Sequence, residues 1–517
     1  MPDPQTALGR DVDDLAGFGY KQRLDRTLGG FSSFAAGFSY LSILTGLPQL
    51  FHLGYAAGGP AFFWTWPLML AGQFLVALCF AELAADYPLS GGVYQWANRV
   101  SPGPVGWMAG WVYLACAVIT LAAVALALQS TLPQISPAFQ LVGQVGDPTD
   151  AAKNAVILGT GLIAFSTLIN AVGVKLLARI NNVGVFAEMA GAIILAILLF
   201  TAVRRGSSVV LDTQGRGEGL AWGYFAPFCA AALTPSFVMY GFDTAGALAE
   251  ETDNPRKRAP RAILGALAAV GIMGTLLLLG ALRAAPDLRD PALGQISGGM
   301  PAIIKSALGS GWGRLLLIDV VLAIVVCTLT VHAAAVRLVF AMARDNNLPF
   351  SVALARLPEK TRSPLVAAVM LGVCAFAILI ANVGHPRIVE VLASVSIVWA
   401  NLAYLLVTAP LLVKRIRYLG RPRRRRAKGL FDLGRWGLPI NALAVAWGVV
   451  VIVNISWPRE AIYGDDEIGR YAAPIATIAL LALGALYYVA IGRRESAGVI
   501  EEHRATRPAP VADIGMG

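Results

Sequence analysis

Twelve stretches of the chain are apolar over about the length a helix needs to cross a bilayer, roughly 20 residues. Each is bounded by charge, glycine or proline. They lie near 28–52, 61–86, 104–130, 154–174, 178–203, 223–250, 261–283, 311–341, 365–383, 387–413, 437–457 and 471–491. This pattern admits an all-α polytopic bundle and little else, because backbone inside lipid must satisfy its hydrogen bonds within the span. Of the 517 residues 57% are hydrophobic and 14% charged, where an ordinary soluble domain carries about 25% charged residues. No stretch between the runs is long enough for a soluble domain.

Cytoplasmic loops retain an excess of Lys and Arg. With the N-terminus inside, 29 of the 41 Lys and Arg fall inside, 11 fall outside and Arg337 lies within a helix. Twelve spans then leave both termini on the cytoplasmic side of a cell membrane. The net charge of +10 does not point to nucleic acid, since ten basic residues crowd between Lys414 and Arg435. That loop, with Arg421-Pro422-Arg423-Arg424-Arg425-Arg426 at its centre, would attract anionic membrane lipid at roughly 1 kcal/mol per residue. Residues 1–27 carry Asp11, Asp13 and Asp14 and lack the basic start and cleavage site of a secretory signal. The tail 492–517 is polar, contains Pro508 and Pro510, and reads as disordered. The five cysteines all fall in apolar runs without CxxC spacing, so neither a disulfide framework nor a metal site is expected, and no cofactor is implied.

Two of the runs are interrupted in mid-span. The first contains Ser39-Tyr40-Leu41-Ser42-Ile43-Leu44-Thr45-Gly46-Leu47-Pro48, and the sixth contains Tyr240-Gly241-Phe242-Asp243-Thr244-Ala245-Gly246. Five helices separate them, so they enter from opposite sides, which is the trace of an inverted repeat with broken helices at the bilayer midplane. The division that follows is one repeat over 28–203, a second over 223–413, the basic loop 414–436, and two further helices over 437–491. If the second half of the first helix begins near Gly46, with Pro48 in its first turn, its free N–H groups suit a carboxylate. The sixth run's first half ends near Tyr240 and leaves the carbonyls of Phe237, Val238 and Tyr240 to an ammonium. Opposed helix ends match the two charges of an amino acid. One such cluster would be ordinary small-residue packing; two at corresponding positions, one holding Asp243 inside the membrane, favour a binding site. The candidates are Ser42, Ile43, Thr45 and Gly46 with Phe237, Val238, Tyr240, Gly241, Phe242 and Asp243.

Asp243, Ala247, Glu250 and Glu251 recur at helical spacing, which places the acids on one face. Arg23, Arg26, Arg337 and Arg344 lie near the cytoplasmic side. Glu250, Glu251 and Arg337 are therefore candidates for an inner gate, the alternative being arginines that only snorkel to headgroups.

Further motifs carry a resemblance. Glu82-Leu83 with Tyr87-Pro88-Leu89-Ser90-Gly91-Gly92-Val93-Tyr94, Gly241-Phe242-Asp243 with Glu250-Glu251 and Asn254-Pro255, and Arg337 with Ala343-Arg344-Asp345 and Leu348-Pro349 resemble the amino acid-polyamine-organocation permeases. The segment Asn170, Gly173-Val174-Lys175, Ile180-Asn181-Asn182 and Gly184-Val185 is most similar to the branch with amino acid, 4-aminobutyrate and choline permeases. The likeness runs from Lys21 to Arg417. It implies a five-plus-five inverted repeat, alternating access, and a site at the two breaks, with Thr45 and Gly46 facing a carboxylate and Phe237 and Phe242 forming a lid or wall.

Glu188 departs from that pattern, because several proton-coupled or exchanging relatives carry a lysine at its place. A carboxyl in a low-dielectric bundle is costly to keep ionised, which suits Glu188 to proton coupling; a structural pair or a sodium ligand are the alternatives. His332, flanked by Thr330 and Val331, is a second relay candidate against the plainer reading of a satisfied core histidine. With no GK dipeptide, HExxH or GxSxG the chain is not expected to be an enzyme. The expectation is a secondary transporter for an amino acid or related amine, coupled to H+, as monomer or homodimer. Choline or polyamine uptake and obligate exchange are the alternatives; a membrane enzyme is the rival from another class, disfavoured by those missing motifs, and a channel or receptor is the third possibility.

Overall fold

The computed structural model describes residues 7–24, 26, 28–144, 146–296, 298–358, 363–381, 383–385, 387–419, 429–463, 467–492 and 499–505. The arginine run at 421–426 lies outside them, as does the chain after 505. Among the described residues the regular structure is helical, apart from two isolated bridges that join Tyr20 to Arg504 and Leu28 to Thr252.

Among the described residues ten helices are long and apolar enough to cross a membrane: α1 Gly30–Gly58, α2 Pro60–Asp86, α3 Pro104–Ile135, α4 Pro148–Val172, α5 Leu176–Thr201, α7 Pro255–Ala284, α8 Gly299–Arg344, α10 Ile388–Arg417, α11 Gly434–Ser456 and α12 Ala472–Ala490. Two shorter apolar helices, α6 Phe225–Val238 and α9 Leu365–Ala381, complete the twelve. The chain is a multi-pass membrane protein. The most apolar window of α1 is 94% buried and that of α12 only 11%, so α1 runs through the centre of the bundle while α12 lies on its rim.

α1 breaks where the sequence leads one to expect, but earlier. Ser42 has φ 30°, in the left-handed region, and its N–H closes the first half on Phe38 O at 2.8 Å. The second half starts at Ile43 rather than near Gly46. Thr45 and Gly46 N–H therefore already donate to Ser42 O, at 3.1 and 3.0 Å, and Pro48 falls in the second turn instead of the first. A non-glycine residue at positive φ costs roughly 1–3 kcal/mol and needs surroundings that hold it.

α6 ends at Val238. Gly241 has φ 93°, and a Cβ on it would run into the Tyr40 ring of α1. The two breaks thus meet backbone to side chain. Gly241→Ala is expected to destabilise the protein by about 2–6 kcal/mol, the sum of backbone strain and overpacking, read as a lowered Tm in detergent; an unchanged Tm would mean that the breaks do not touch.

Beyond α6 the chain forms one turn at Thr244–Ala247 and a 3-10 turn at Ala249–Glu251. Asp243, Glu250 and Glu251 therefore do not share one helix face as the spacing suggested, because no continuous helix links them. The three carboxylates point to different partners.

Part of the tail read as disordered is ordered. Val499 packs with Leu15, Tyr20 and Leu89, Ile500 N–H donates to Arg344 O at 3.0 Å, Lys21 N–H donates to His503 O at 2.9 Å, and Ala505 N–H donates to Gly19 O at 3.1 Å. Composition did not mark this segment because its anchors are mostly backbone hydrogen bonds and a surface ion pair, with only Val499, Ile500 and His503 as apolar or buried side chains. Burial, with the charges of Arg344 and Arg23 nearby, holds the His503 imidazole below its usual range, and its Nε2 lies 3.2 Å from Ala355 O.

Candidate functional site

The break in α1 is held from α5. Glu188 is buried, and its Oε1 accepts from Ser42 Oγ at 2.8 Å and from Leu44 N–H at 3.2 Å. The protein's own carboxylate thus caps the free N-terminal end of α1's second half, where an anion is favoured. Ser42 Oγ also lies 2.6 Å from Thr45 Oγ1. Glu188 Oε2 is buried and makes no hydrogen bond among the described residues, so one half of the carboxyl is satisfied and the other is not.

The other break is held by two tyrosines. Asp243 Oδ1 accepts from Tyr113 Oη of α3 and Tyr404 Oη of α10, both at 2.6 Å, while Gly241 N–H donates to Tyr404 Oη at 2.7 Å. Because Gly241 spends its N–H on Tyr404, Phe237 O loses the i+4 donor that a continuous helix would supply. Asp243 works here as a fastener between α3, α10 and the segment that follows α6.

Between the breaks lies a cavity of about 10 Å³ lined by Tyr40, Thr45, Gly46, Thr120, Phe237, Val238, Tyr240 and Cys327, with Leu41 and Val124. That is close to the space of one water molecule. Five of the ten residues proposed from sequence, Thr45, Gly46, Phe237, Val238 and Tyr240, line it. Ser42, Ile43, Gly241, Phe242 and Asp243 are buried around it. Sequence reasoning missed Tyr40, Thr120 and Cys327, and also Tyr113 and Tyr404, whose only signal is a phenol that needs a partner when buried.

Towards the end of α8, Arg337 donates to Glu251 through Nε at 2.8 Å and Nη2 at 3.2 Å. Arg344 Nη1 donates to Glu250 Oε2 at 2.8 Å, its Nη2 lies 2.8 Å from Glu250 Oε1, and its guanidinium stacks over the Tyr20 ring at 3.8 Å. All four side chains are buried. Ser90 N–H donates to Glu250 Oε1 at 2.9 Å and Gly91 N–H to Ala247 O at 3.3 Å, so the Pro88-Leu89-Ser90-Gly91-Gly92 turn is wedged against the same acids. Arg26 donates to Thr252 O at 2.9 Å, while Arg23 pairs with Glu502. A cavity of about 30 Å³ beside Glu251 and Arg337 reaches Asn181, Asn182 and Thr330.

His332 lies elsewhere. Its Nδ1 is 3.1 Å from Ser166 Oγ of α4 and its Nε2 2.9 Å from Ala368 O of α9, so both ring nitrogens serve to tie three helices together.

The family profile described as amino acid permease matches residues 28–489. This chain belongs to that family. The permease is 26% identical to the amino-acid permease BAT1 of Arabidopsis thaliana over 94% of this chain and 95% of that protein. It is 24% identical to the GABA-specific permease of Saccharomyces cerevisiae, over 92% and 83% of the two. Among solved structures it resembles MhsT, crystallised in complex with L-phenylalanine, with a TM-score of 0.51 and 16% identity over 88% of the permease and 98% of MhsT. That likeness concerns the fold, in which α1–α5 and α6–α10 are the two inverted repeats and α1 and α6 their broken first helices. The permease is a transporter and not an enzyme.

Proposed function

We propose that this permease carries an amino acid or a related amine across the cell membrane by alternating access, coupled to proton movement through Glu188. The observation that carries the coupling is the half-satisfied carboxyl: Glu188 caps the broken end of α1 through Oε1 and keeps a buried, unpartnered Oε2. An intramembrane carboxyl is a functional candidate by default, and Glu188 is linked through Ser42 Oγ to Thr45, which lines the cavity. Glu250, Glu251, Arg337 and Arg344 form the inner gate that opens in the cycle, and both termini lie on the cytoplasmic side. His332, with both nitrogens engaged, is left out of the proton route.

A second reading has one observation in its favour. Thr45 and Gly46 N–H are spent on Ser42 O and Leu44 N–H is spent on Glu188, which leaves fewer donors for a substrate carboxylate and favours an amine without one, such as choline or putrescine. The test is uptake by the purified protein in liposomes of radiolabelled amino acids, 4-aminobutyrate, choline and putrescine, with and without an inward proton gradient. Gradient-dependent accumulation of a zwitterion is expected. Uptake of choline or putrescine alone would establish the second reading, and uptake only against preloaded substrate would make the protein an exchanger with Glu188 structural.

A further inference from the structure

α5 and α8 run antiparallel in a register that three contacts fix independently. Thr330 Oγ1 donates to Asn181 Oδ1 at 2.9 Å, a Cβ on Gly184 would run into Val326, and a Cβ on Gly191 would run into Asp319 Oδ2. Each pair of residue numbers adds to 510 or 511, so one seam is followed over about three helical turns. Glu188 lies on that seam between the Gly184–Val326 and Gly191–Asp319 contacts.

Asp319 is a lone carboxyl in the apolar core of α8, half-buried, beside the lipid-exposed Leu315, Ile318 and Leu322. Its Oδ2 is buried and makes no hydrogen bond among the described residues. It approaches α5 only because position 191 has no side chain. Gly191 is three residues from Glu188, about 4.5 Å of helix rise, and on the same face. Two buried carboxylate oxygens without hydrogen-bond partners, Glu188 Oε2 and Asp319 Oδ2, therefore occupy successive turns of one seam. Asp319 lies on the side of Glu188 remote from the Glu251–Arg337 gate. Asp319 is the ionisable group whose charge acts on Glu188, and the neutral Cys327 thiol of the same α8 lies close enough to feel the Glu188 charge; from α1 the Ser42 hydroxyl meets Glu188 and is itself 2.6 Å from Thr45 Oγ1.

We infer that Asp319 is a positioning residue for proton transfer, the station through which a proton from the side remote from the inner gate reaches Glu188. The proton first adds to the Asp319 carboxylate. It then moves to Glu188 Oε2 through a bridging water, and Asp319 returns to its carboxylate form. This inference rests on the coupling role proposed for Glu188.

The test compares wild type, Glu188→Gln, Asp319→Asn and Asp319→Glu in liposomes, using the substrate the panel identifies. Asp319→Asn is expected to slow gradient-driven uptake by about a hundredfold, the lower end of what a positioned proton-transfer group contributes. It should also flatten the rise of the rate with outside acidity, while exchange of labelled for unlabelled substrate stays at the wild-type rate. Asp319→Glu should restore the pH profile. If wild type shows no gradient-driven uptake, the role of Glu188 and this inference fall together. If wild type and Glu188→Gln behave as proposed while Asp319→Asn keeps the wild-type rate and pH profile, only the Asp319 station is overturned. Should Asp319→Asn not fold, Gly191→Ala, which forces the Asp319 carboxyl off the seam, gives the same reading: slowed, pH-flattened uptake supports the station and a wild-type profile overturns it.

Discussion

Replacing Arg337 by Met is expected to cost about 3–5 kcal/mol of stability, the penalty for leaving a buried charge without its partner. Glu251 and Arg337 are both almost fully enclosed, with side-chain exposures of 1% and 3%, and Glu251 receives two hydrogen bonds from the guanidinium. The loss should appear as a lowered Tm in detergent. Glu251→Leu combined with Arg337→Met should recover most of it, because a buried ion pair replaced as a pair by apolar groups is often neutral or better. The same single change should loosen the gate. A cysteine introduced at Ala333, which lines the neighbouring cavity, should react with a water-soluble maleimide faster in the Arg337→Met background, followed residue by residue by mass spectrometry. An unchanged Tm with unchanged labelling would mean that the pair neither stabilises the bundle nor closes the cytoplasmic side.

Glu188→Gln is expected to abolish accumulation while leaving entry down the substrate's own gradient. Glutamine retains an oxygen for Ser42 Oγ and Leu44 N–H, so the broken end of α1 keeps its cap. It cannot exchange a proton. One pH unit corresponds to 1.36 kcal/mol, or about tenfold accumulation for one proton per substrate. Wild type should approach that ratio and Glu188→Gln should fall to equal concentrations inside and out. A carboxyl that serves only as a permanent cap would leave the ratio intact in the variant.

The features that sequence reveals here are those written in residue types. A single cluster of glycine, proline and hydroxyls inside an apolar run is ordinary packing, but two at corresponding positions mark breaks, and α1 and α6 break at the clusters so marked. What sequence leaves open depends on rotation and on tertiary hydrogen bonding. The start of α1's second half is set by Ser42 adopting positive φ and by Glu188 reaching across from α5, neither of which is written in the local string Ile43-Leu44-Thr45-Gly46. Tyr113 and Tyr404 look like packing in apolar helices until their hydroxyls are seen on Asp243. The shared face proposed for Asp243, Glu250 and Glu251 failed because periodicity assumes a helix that the break removes. His332 shows that an ionisable residue in a span also serves structure, here by bridging Ser166 and Ala368. A lone carboxyl in an apolar run signals function, and by that rule Asp319 is legible without a structure, whereas its partner Gly191 is not.

The most direct test of the coupling role is substrate-evoked proton flux. Liposomes holding an entrapped pH-sensitive dye, with either wild type or Glu188→Gln in the membrane, are given outside substrate at symmetric starting pH. Acidification of the lumen by wild type and none by Glu188→Gln, with labelled substrate entering both, is the predicted result. Equal acidification by both proteins, or none by wild type during substrate entry, would contradict the assignment of Glu188 as the proton-carrying group.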